Sequence, residues 1–565
     1  MKIINFLAII RKVYLNLGLK NFLIYKLVWV SYKSFKLFKF IRLSFFSNYS
    51  QNYNSPHLEI NSLFKYHEIS NFNFKNRDKY LKNKLQVFSK DFSNHSAKVS
   101  QNLIKNTNTR FLLDTYRKNI LNEKRKYERK NIISTNWYND HLSNKNFKIN
   151  DKIIYDKGID IKVPWEVARF QHLNKICIFA YLNKLNTDYD FIKFQILDFI
   201  FFNPPKVGIH WLNAMEVAIR GSNLSMITDI LVAENQLNDK EKLIFFNSIN
   251  DHLLFVLENI EWSPLSRNNH YLANIIGIMV MSYFLPKDRY LRSIMKFSVE
   301  QFLNEIDFQF YDDGGSREGS TSYHVFSSEM ILIGLYFFKK IKSSDLRFNK
   351  SEGFFLSNFF NKISFIKNNS EKITMNYQNK MLEKVKKIFF FSKLLLRNNN
   401  SLLQVGDNDS GCFFDLDFSK DSLEKKKIHI LLSEKKSFSL FYVIKKYVGN
   451  DFFENYNKTP CVIKNNTLEL CSNKHRRSFF IPFDEKVNIN KIKLYSFKDF
   501  GLYCFLHKKF SLYVICNVPS LSFLKPTNID LRAKLTAVVA EAAALFLKPS
   551  ASSLNTLVSS LKPSA

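Results

Sequence analysis

The chain has 565 residues, with 16% aromatics and 57 phenylalanines. That much aromatic and apolar material excludes a disordered chain and allows two or three domains around a large core. The formal net charge of +33 has two readings: an anionic partner, or an A/T-rich genome whose codons favour Lys, Asn, Ile, Phe and Tyr.

In chain order, residues 1–100 read as a basic, aromatic-rich N-terminal region. Met1-Lys2-Ile3-Ile4-Asn5-Phe6 opens a short apolar stretch with no clean cleavage site, so no secretory signal is read there. Residues 20–46 interleave Lys and Arg with aromatics, so no span free of charge is long enough to cross a bilayer. Residues 101–130 carry Leu103, Phe111, Leu112, Tyr116 and Ile120 at helical spacing. Amphipathic or buried helices are expected at 164–184, 191–202, 211–233, 241–260, 271–284, 289–304 and 326–342. Prolines and glycines punctuate them at Pro204-Pro205, Gly208, Pro264, Pro286 and Gly314-Gly315. Many helices in series predict an all-α solenoid or toroid over 101–415.

Beyond residue 400 the pattern turns to short β-prone runs at 402–405, 428–431, 491–495, 502–506 and 511–516. We expect an abbreviated antiparallel β domain over 416–525. Residues 526–565 form an atypical tail rich in Ala, Ser and Leu, with a near-repeat of Leu-Lys-Pro-Ser-Ala at 547–551 and 561–565. The six cysteines, Cys177, Cys412, Cys461, Cys471, Cys504 and Cys516, form no C-x-x-C pair. They read as mostly buried thiols rather than zinc ligands or a disulfide framework.

The chemistry concentrates in Asp312-Asp313-Gly314-Gly315-Ser316-Arg317-Glu318-Gly319-Ser320-Thr321-Ser322-Tyr323-His324, a polar glycine loop that opens an apolar helix. Asn268-Asn269-His270 opens another, with His270 53 positions before Tyr323. An Asn/His pair at a helix start can also be a cap. On a third helix Asn213, Glu216 and Arg220 share one face, with Trp211 just before them. Trp211 could stack on a sugar ring and Arg220 could grip a carboxylate in two-pronged fashion; the other reading is a buried Glu216–Arg220 ion pair. Trp165, Glu166, Arg169 and His172 carry the same ambiguity.

These segments resemble the heparinase II/III-like polysaccharide lyases. The glycine loop is similar to that family's D-G-G-x-x-E-(A/G)-S-x-S-Y-H. Asp160-Ile161-Lys162-Val163-Pro164-Trp165-Glu166 through Gln171-His172 resembles D-I-K-x-P-W-E-x-x-R-x-Q-H. Asn203-Pro204, then Gly208 to Arg220, looks like the N-P … G-x-x-W-x-x-x-M-(D/E)-V-A-x-R helix, and Gly406-Asp407-Asn408-Asp409-Ser410-Gly411 like G-D-N-D-S-G. With the Asn-His pair, the matches run in family order over 155–415.

The resemblance implies an incomplete (α/α) toroid followed by an abbreviated antiparallel β domain, mainly α in class. It also implies β-elimination on a uronic-acid-containing acidic polysaccharide. Asn269, His270 and Tyr323 would be catalytic; Trp211, Asn213, Glu216, Arg220, Glu318 and His324 would contact substrate. For His324 a structural role is favoured, and Glu318 could instead cap the helix that follows. No cofactor is expected. Some family members hold a metal ion in the β domain, where a G-G-H-A-H-x-D-like segment supplies another active-site histidine. Here no histidine follows His507. That gap favours a second reading, a non-catalytic or truncated glycan-binding or polysaccharide-assembly accessory protein. A nucleic-acid partner rests on charge alone, with no zinc-finger, helix-turn-helix or RNA-recognition signature, and is not expected. Family lyases are often periplasmic or secreted, whereas the N-terminus reads as leaderless; location and oligomeric state stay open.

Overall fold

The computed structural model describes residues 110–128, 132, 134–148, 158–183, 187–262, 267–286, 289–341, 375–395, 403–407, 411–414, 463–464, 467–471, 476–480, 493–497, 499–506 and 511–515. The expected N-terminal region 1–100, the β run 428–431 and the tail 526–565 lie outside them. The described residues fall into two compact units. One holds residues up to Gln309, Val325–Val385 and Asp409–Asn450; the other holds Phe310–His324, Lys386–Asn408 and the strands that follow.

The first unit is helical. Its elements are α1 (Arg110–Glu128), a small β1–β2 hairpin (Asn139–Asp140, Lys145–Asn146), α2 (Lys162–Ala168), α3 (Gln171–Asn183), α4 (Thr187–Phe202), α5 (Ala214–Ala233), α6 (Asp239–Glu258), α7 (Asn269–Phe284) and α8 (Arg289–Gln309). Most of α9 (Thr321–Lys340) and the first half of α10 (Met375–Leu394) follow. Helix α5 is buried without a break from Ala214 to Leu231. A helix enclosed on every side must be central, and α5 packs against α3, α6 and α7, while α7 packs against α6 and α8. Contacts between neighbours, such as α5 with α6 and α7 with α8, alternate with contacts to the next but one, α3 with α5 and α5 with α7, as in an (α/α) toroid. No helix among the described residues is long and apolar enough to cross a membrane.

Two helix boundaries differ from the sequence expectation for identifiable reasons. The helix expected over 164–184 is two, because Phe170 adopts a left-handed backbone with φ 60° between α2 and α3. Its side chain is fully buried, edge-on to Phe199 at 5.0 Å and Trp137 at 6.0 Å. Burial of the ring offsets a backbone conformation that non-glycine residues avoid. Helix α6 starts on a capping box, in which Asn238 accepts from the Glu241 backbone and Glu241 returns a bond to the Asn238 backbone.

The second unit contains two three-stranded antiparallel sheets, β3–β4–β5 (Ile463–Lys464, Thr467–Cys471, Arg476–Phe480) and β6–β7–β8 (Lys493–Phe497, Leu502–Leu506, Ser511–Ile515). Its core joins Phe390, Phe391, Leu394, Leu395, Leu403 and Val405 to Phe497, Phe500, Leu502 and Cys504. Residues 403–405, expected as a strand, are not one. Their hydrogen bonds go to a helix start: Thr321 donates its N–H to the Val405 carbonyl at 2.9 Å, and Val405 donates to Thr321 Oγ1 at 3.0 Å. The glycine loop 310–324 groups with this strand-bearing unit instead of the helices that surround it in sequence. Cys177, Cys412 and Cys504 are buried free thiols.

Candidate active site

In the first unit, the Asn-His pair forms the first turn of α7. Asn268 occupies the N-cap position yet makes no side-chain capping bond, so the capping alternative for this pair is not realised there. Asn269 is 5% exposed, whereas the His270 side chain is about one-third exposed. The Asn268 carbonyl accepts from Gln309 Nε2 at 3.0 Å, and Gln309 also donates to Glu305 at 2.8 Å. Glu305, fully buried, is paired with Arg267. A run of polar bonds from α8 thus holds the chain entering α7.

His270 meets a residue that sequence reasoning missed. Its Nδ1 lies 3.0 Å from Glu261 Oε1. The other carboxylate oxygen accepts from the Met215 N–H of α5 at 3.0 Å and from Asn274 Nδ2 at 3.2 Å, and the Glu261 N–H donates to Asn274 Oδ1 at 2.8 Å. The only local signal was an acid in the short connection before the Asn-His pair, and connections commonly carry acids.

The four residues on and before α5 take different roles from those expected. Asn213 is the N-cap, its Oδ1 accepting the Glu216 N–H at 3.2 Å. Glu216 does not pair with Arg220. Its carboxylate accepts from Arg169 Nε and a terminal nitrogen, both at 2.7 Å, a two-pronged bond. Burial works against the Arg169 charge, but Glu216 beside it outweighs that and raises its pKa. Arg220 is 1% exposed. It donates to His252 Nε2 at 2.8 Å and to the His210 carbonyl at 2.9 Å, with its guanidinium over the Phe199 and Trp211 rings. Burial pushes its pKa down to about 9, against Glu216. The same burial, with Arg220 nearby, pushes His210 to about 3 and His252 well below its ordinary value. Trp211 is equally enclosed, its ring 4.7 Å from His252 and 5.2 Å from Phe255. The Trp211 ring and the Arg220 guanidinium thus face protein partners.

In the second unit, the glycine loop is a built turn. Gly314 has φ +95°, and a Cβ there would stand 2.4 Å from the Lys387 carbonyl oxygen. Only glycine meets both demands. Asp313 Oδ1 accepts the Gly315 N–H at 3.0 Å, and its Oδ2 accepts those of Asp499 at 2.7 Å and Phe500 at 2.9 Å. The loop is thereby tied to the β6–β7 turn. Burial, outweighing these donors, raises the Asp313 pKa. Ser320 opens α9: its Oγ accepts the Tyr323 N–H at 3.2 Å and donates to the Asp407 carbonyl at 2.6 Å. Ser320 thus acts as a cap, while Glu318 is buried with its N–H on Ser316 Oγ at 3.2 Å. Tyr323 sits on the first turn of α9, partly exposed. His324 is fully buried, its Nε2 2.7 Å from Ser392 Oγ and its ring edge-on to Phe391 and Phe310. Burial pushes its pKa to about 3. His324 is thus enclosed by protein groups at the helix start that carries Tyr323.

The family model described as Heparinase II/III N-terminus matches residues 51–351. No curated protein matches. Among solved structures, a heparinase III with methylated lysines is 12% identical, covering 74% of this chain and 60% of that one at a TM-score of 0.39. A mutant of the heparan sulfate lyase HepC from Pedobacter heparinus is 11% identical, covering 81% of this chain and 68% of that one, also at 0.39. The chain thus spans 60% of the length of the first of these structures.

Proposed function

From the premise that this chain belongs to the heparinase II/III family, whose model covers more than half of it, we propose that it is a polysaccharide lyase cleaving a uronate-containing acidic glycan by β-elimination. The observation that carries the reading is that the matched stretch, 51–351, includes Asn269, His270 and Tyr323, each on the first turn of a helix whose body is buried.

The chemistry asks for those residue types. The C5 proton of a uronate is a poor acid because the attached carboxylate resists further charge. A neutral donor such as the Asn269 amide hydrogen-bonds that carboxylate and stabilises the enolate-like transition state. A base then takes the C5 proton and an acid protonates the departing O4. Tyr323 suits the acid role and, in its ionised form, the base role; His270 is the second candidate base. The C5–H and C4–O4 bonds break, a C4=C5 double bond forms, and O4 leaves with a proton. Arg169, Glu216 and Arg220 fix α5, against which α7 packs, and His324 anchors the start of α9.

The test is ultraviolet absorbance from unsaturated uronate ends, measured with heparan sulfate, alginate and a capsule-type glycan beside Tyr323→Phe. The expected result is a rise on at least one glycan that the variant abolishes. A folded native chain that raises absorbance on none of them, yet binds one, would replace the lyase reading with a non-catalytic glycan binder.

A further inference from the structure

We propose that Glu261 is a positioning residue that fixes the proton of His270 on Nδ1 and so presents Nε2 as a proton acceptor; its catalytic consequence rests on the lyase reading above, its structural content does not. The geometry decides which ring nitrogen carries the proton. An ionised carboxylate only accepts, so the ring nitrogen 3.0 Å from Glu261 Oε1 must donate. In the neutral imidazole that leaves the lone pair on Nε2.

The carboxylate has no freedom to turn away. Its Oε2 is engaged by the backbone N–H of Met215 at 3.0 Å and by Asn274 Nδ2 at 3.2 Å. Asn274, fully buried, is itself oriented by the Glu261 N–H on its Oδ1 at 2.8 Å. Met215 is the second residue of α5, where an unsatisfied N–H and the helix dipole both favour a negative group. Three donors on two oxygens, with Asn274 itself held by the Glu261 N–H, thus aim Oε1 at the imidazole. His270 remains about one-third exposed and Glu261 about one-quarter, so the ring is held without being enclosed.

The isosteric amide gives a test with a definite sign. In Glu261→Gln, only the amide oxygen can face the two donors Met215 N–H and Asn274 Nδ2. The amide NH₂ is then turned toward His270 Nδ1, which must accept. The imidazole is expected to invert, with its proton moved to Nε2. The readout is a long-range proton–nitrogen correlation spectrum of the full chain labelled with nitrogen-15 histidine. His270→Gln identifies the signal among the 12 histidines. Native protein should show the Nδ1–H form, Glu261→Gln the Nε2–H form, and Glu261→Asp, which keeps a carboxylate, the native form. On a cleaved glycan, Glu261→Gln should lower kcat by about 10²–10⁴-fold, the range a positioned base contributes, with KM little changed. An Nε2–H signal in the native chain, which needs no variant to fold, would overturn the proposal, as would a folded Glu261→Gln with an unchanged tautomer. Absence of cleavage on every glycan, with the expected tautomers found, would sink the lyase reading and leave the positioning intact.

Discussion

Removing the guanidinium of Arg169 tests whether Glu216 is a structural anchor of α5 or a substrate ligand. Glu216 is 2% exposed and Arg169 8% exposed, and two bonds of 2.7 Å join them. Arg169→Met keeps most of the volume but strips both donors from a carboxylate that water does not reach. An uncompensated buried charge of this kind costs about 3–5 kcal/mol. Glu216→Gln keeps one acceptor oxygen and is expected to cost about 2 kcal/mol. The double variant Arg169→Met/Glu216→Met removes both charges and should stand within about 1–2 kcal/mol of the native chain. All five tryptophans precede residue 310 in sequence, so urea unfolding followed by tryptophan fluorescence reports the first unit selectively. A single variant with an unshifted midpoint, or a double variant as unstable as the summed singles, would refute the anchor. If Glu216 instead bound sugar, Glu216→Gln would raise KM at native stability.

Gly314→Ala places a methyl group 2.4 Å from the Lys387 oxygen on a left-handed backbone; we expect a loss of about 2–4 kcal/mol, seen as a lower thermal midpoint, and a matching loss of any lyase turnover that depends on Tyr323. Asp313→Ala removes three backbone acceptor bonds and should cost about 1–3 kcal/mol, with faster amide exchange at Asp499 and Phe500; unchanged exchange there would show that the carboxylate does not hold the β6–β7 turn. Acid should destabilise the first unit early. His210 and His252 stay neutral when folded far below the ordinary histidine value of 6.5, whereas the unfolded chain takes up those protons near it. The unfolded state then binds more protons, so stability present above about pH 6.5 is lost as pH falls toward about 3. His252→Gln, which still offers Arg220 an acceptor, should flatten the fall of the urea midpoint with pH; an unchanged slope would show that His252 is protonated in the fold.

What was legible in the sequence was local. The 3.6-residue period marks the helices from 110 to 340 because each buries a stripe or a whole surface, and serine, asparagine and glycine mark their starts. Gly314-Gly315 could be read as a turn, but the close approach of Lys387 that also demands glycine could not, and the cap falls on Ser320 where the sequence offers Glu318. Helix boundaries failed where tertiary burial overrode propensity: Phe170 breaks one helix in two because its ring is wanted by Trp137 and Phe199, and 403–405 pairs with a helix start instead of a strand. Helix α10 and strands β4 and β5 fall within the expected helical and β regions but were not individually located, the first lying amid lysines and asparagines that blur its apolar stripe.

The candidate site shows the same division more sharply. Residue types that could touch a sugar were easy to list, but type does not say which way a side chain is spent. Trp211 and Arg220 look like ligands in sequence, and in the fold they are, like His324, enclosed by protein partners. Their partners, His252, Phe255 and Ser392, lie tens of positions away and carry no motif. Glu261 is the converse case, unremarkable in sequence and set against His270 only because α5 and α7 pack side by side. Partition of polar residues into those that react and those that hold is thus decided by non-local packing. The groups that remain partly exposed at helix starts, His270 and Tyr323, are where chemistry should be sought first, with Glu261 as the carboxylate set against His270.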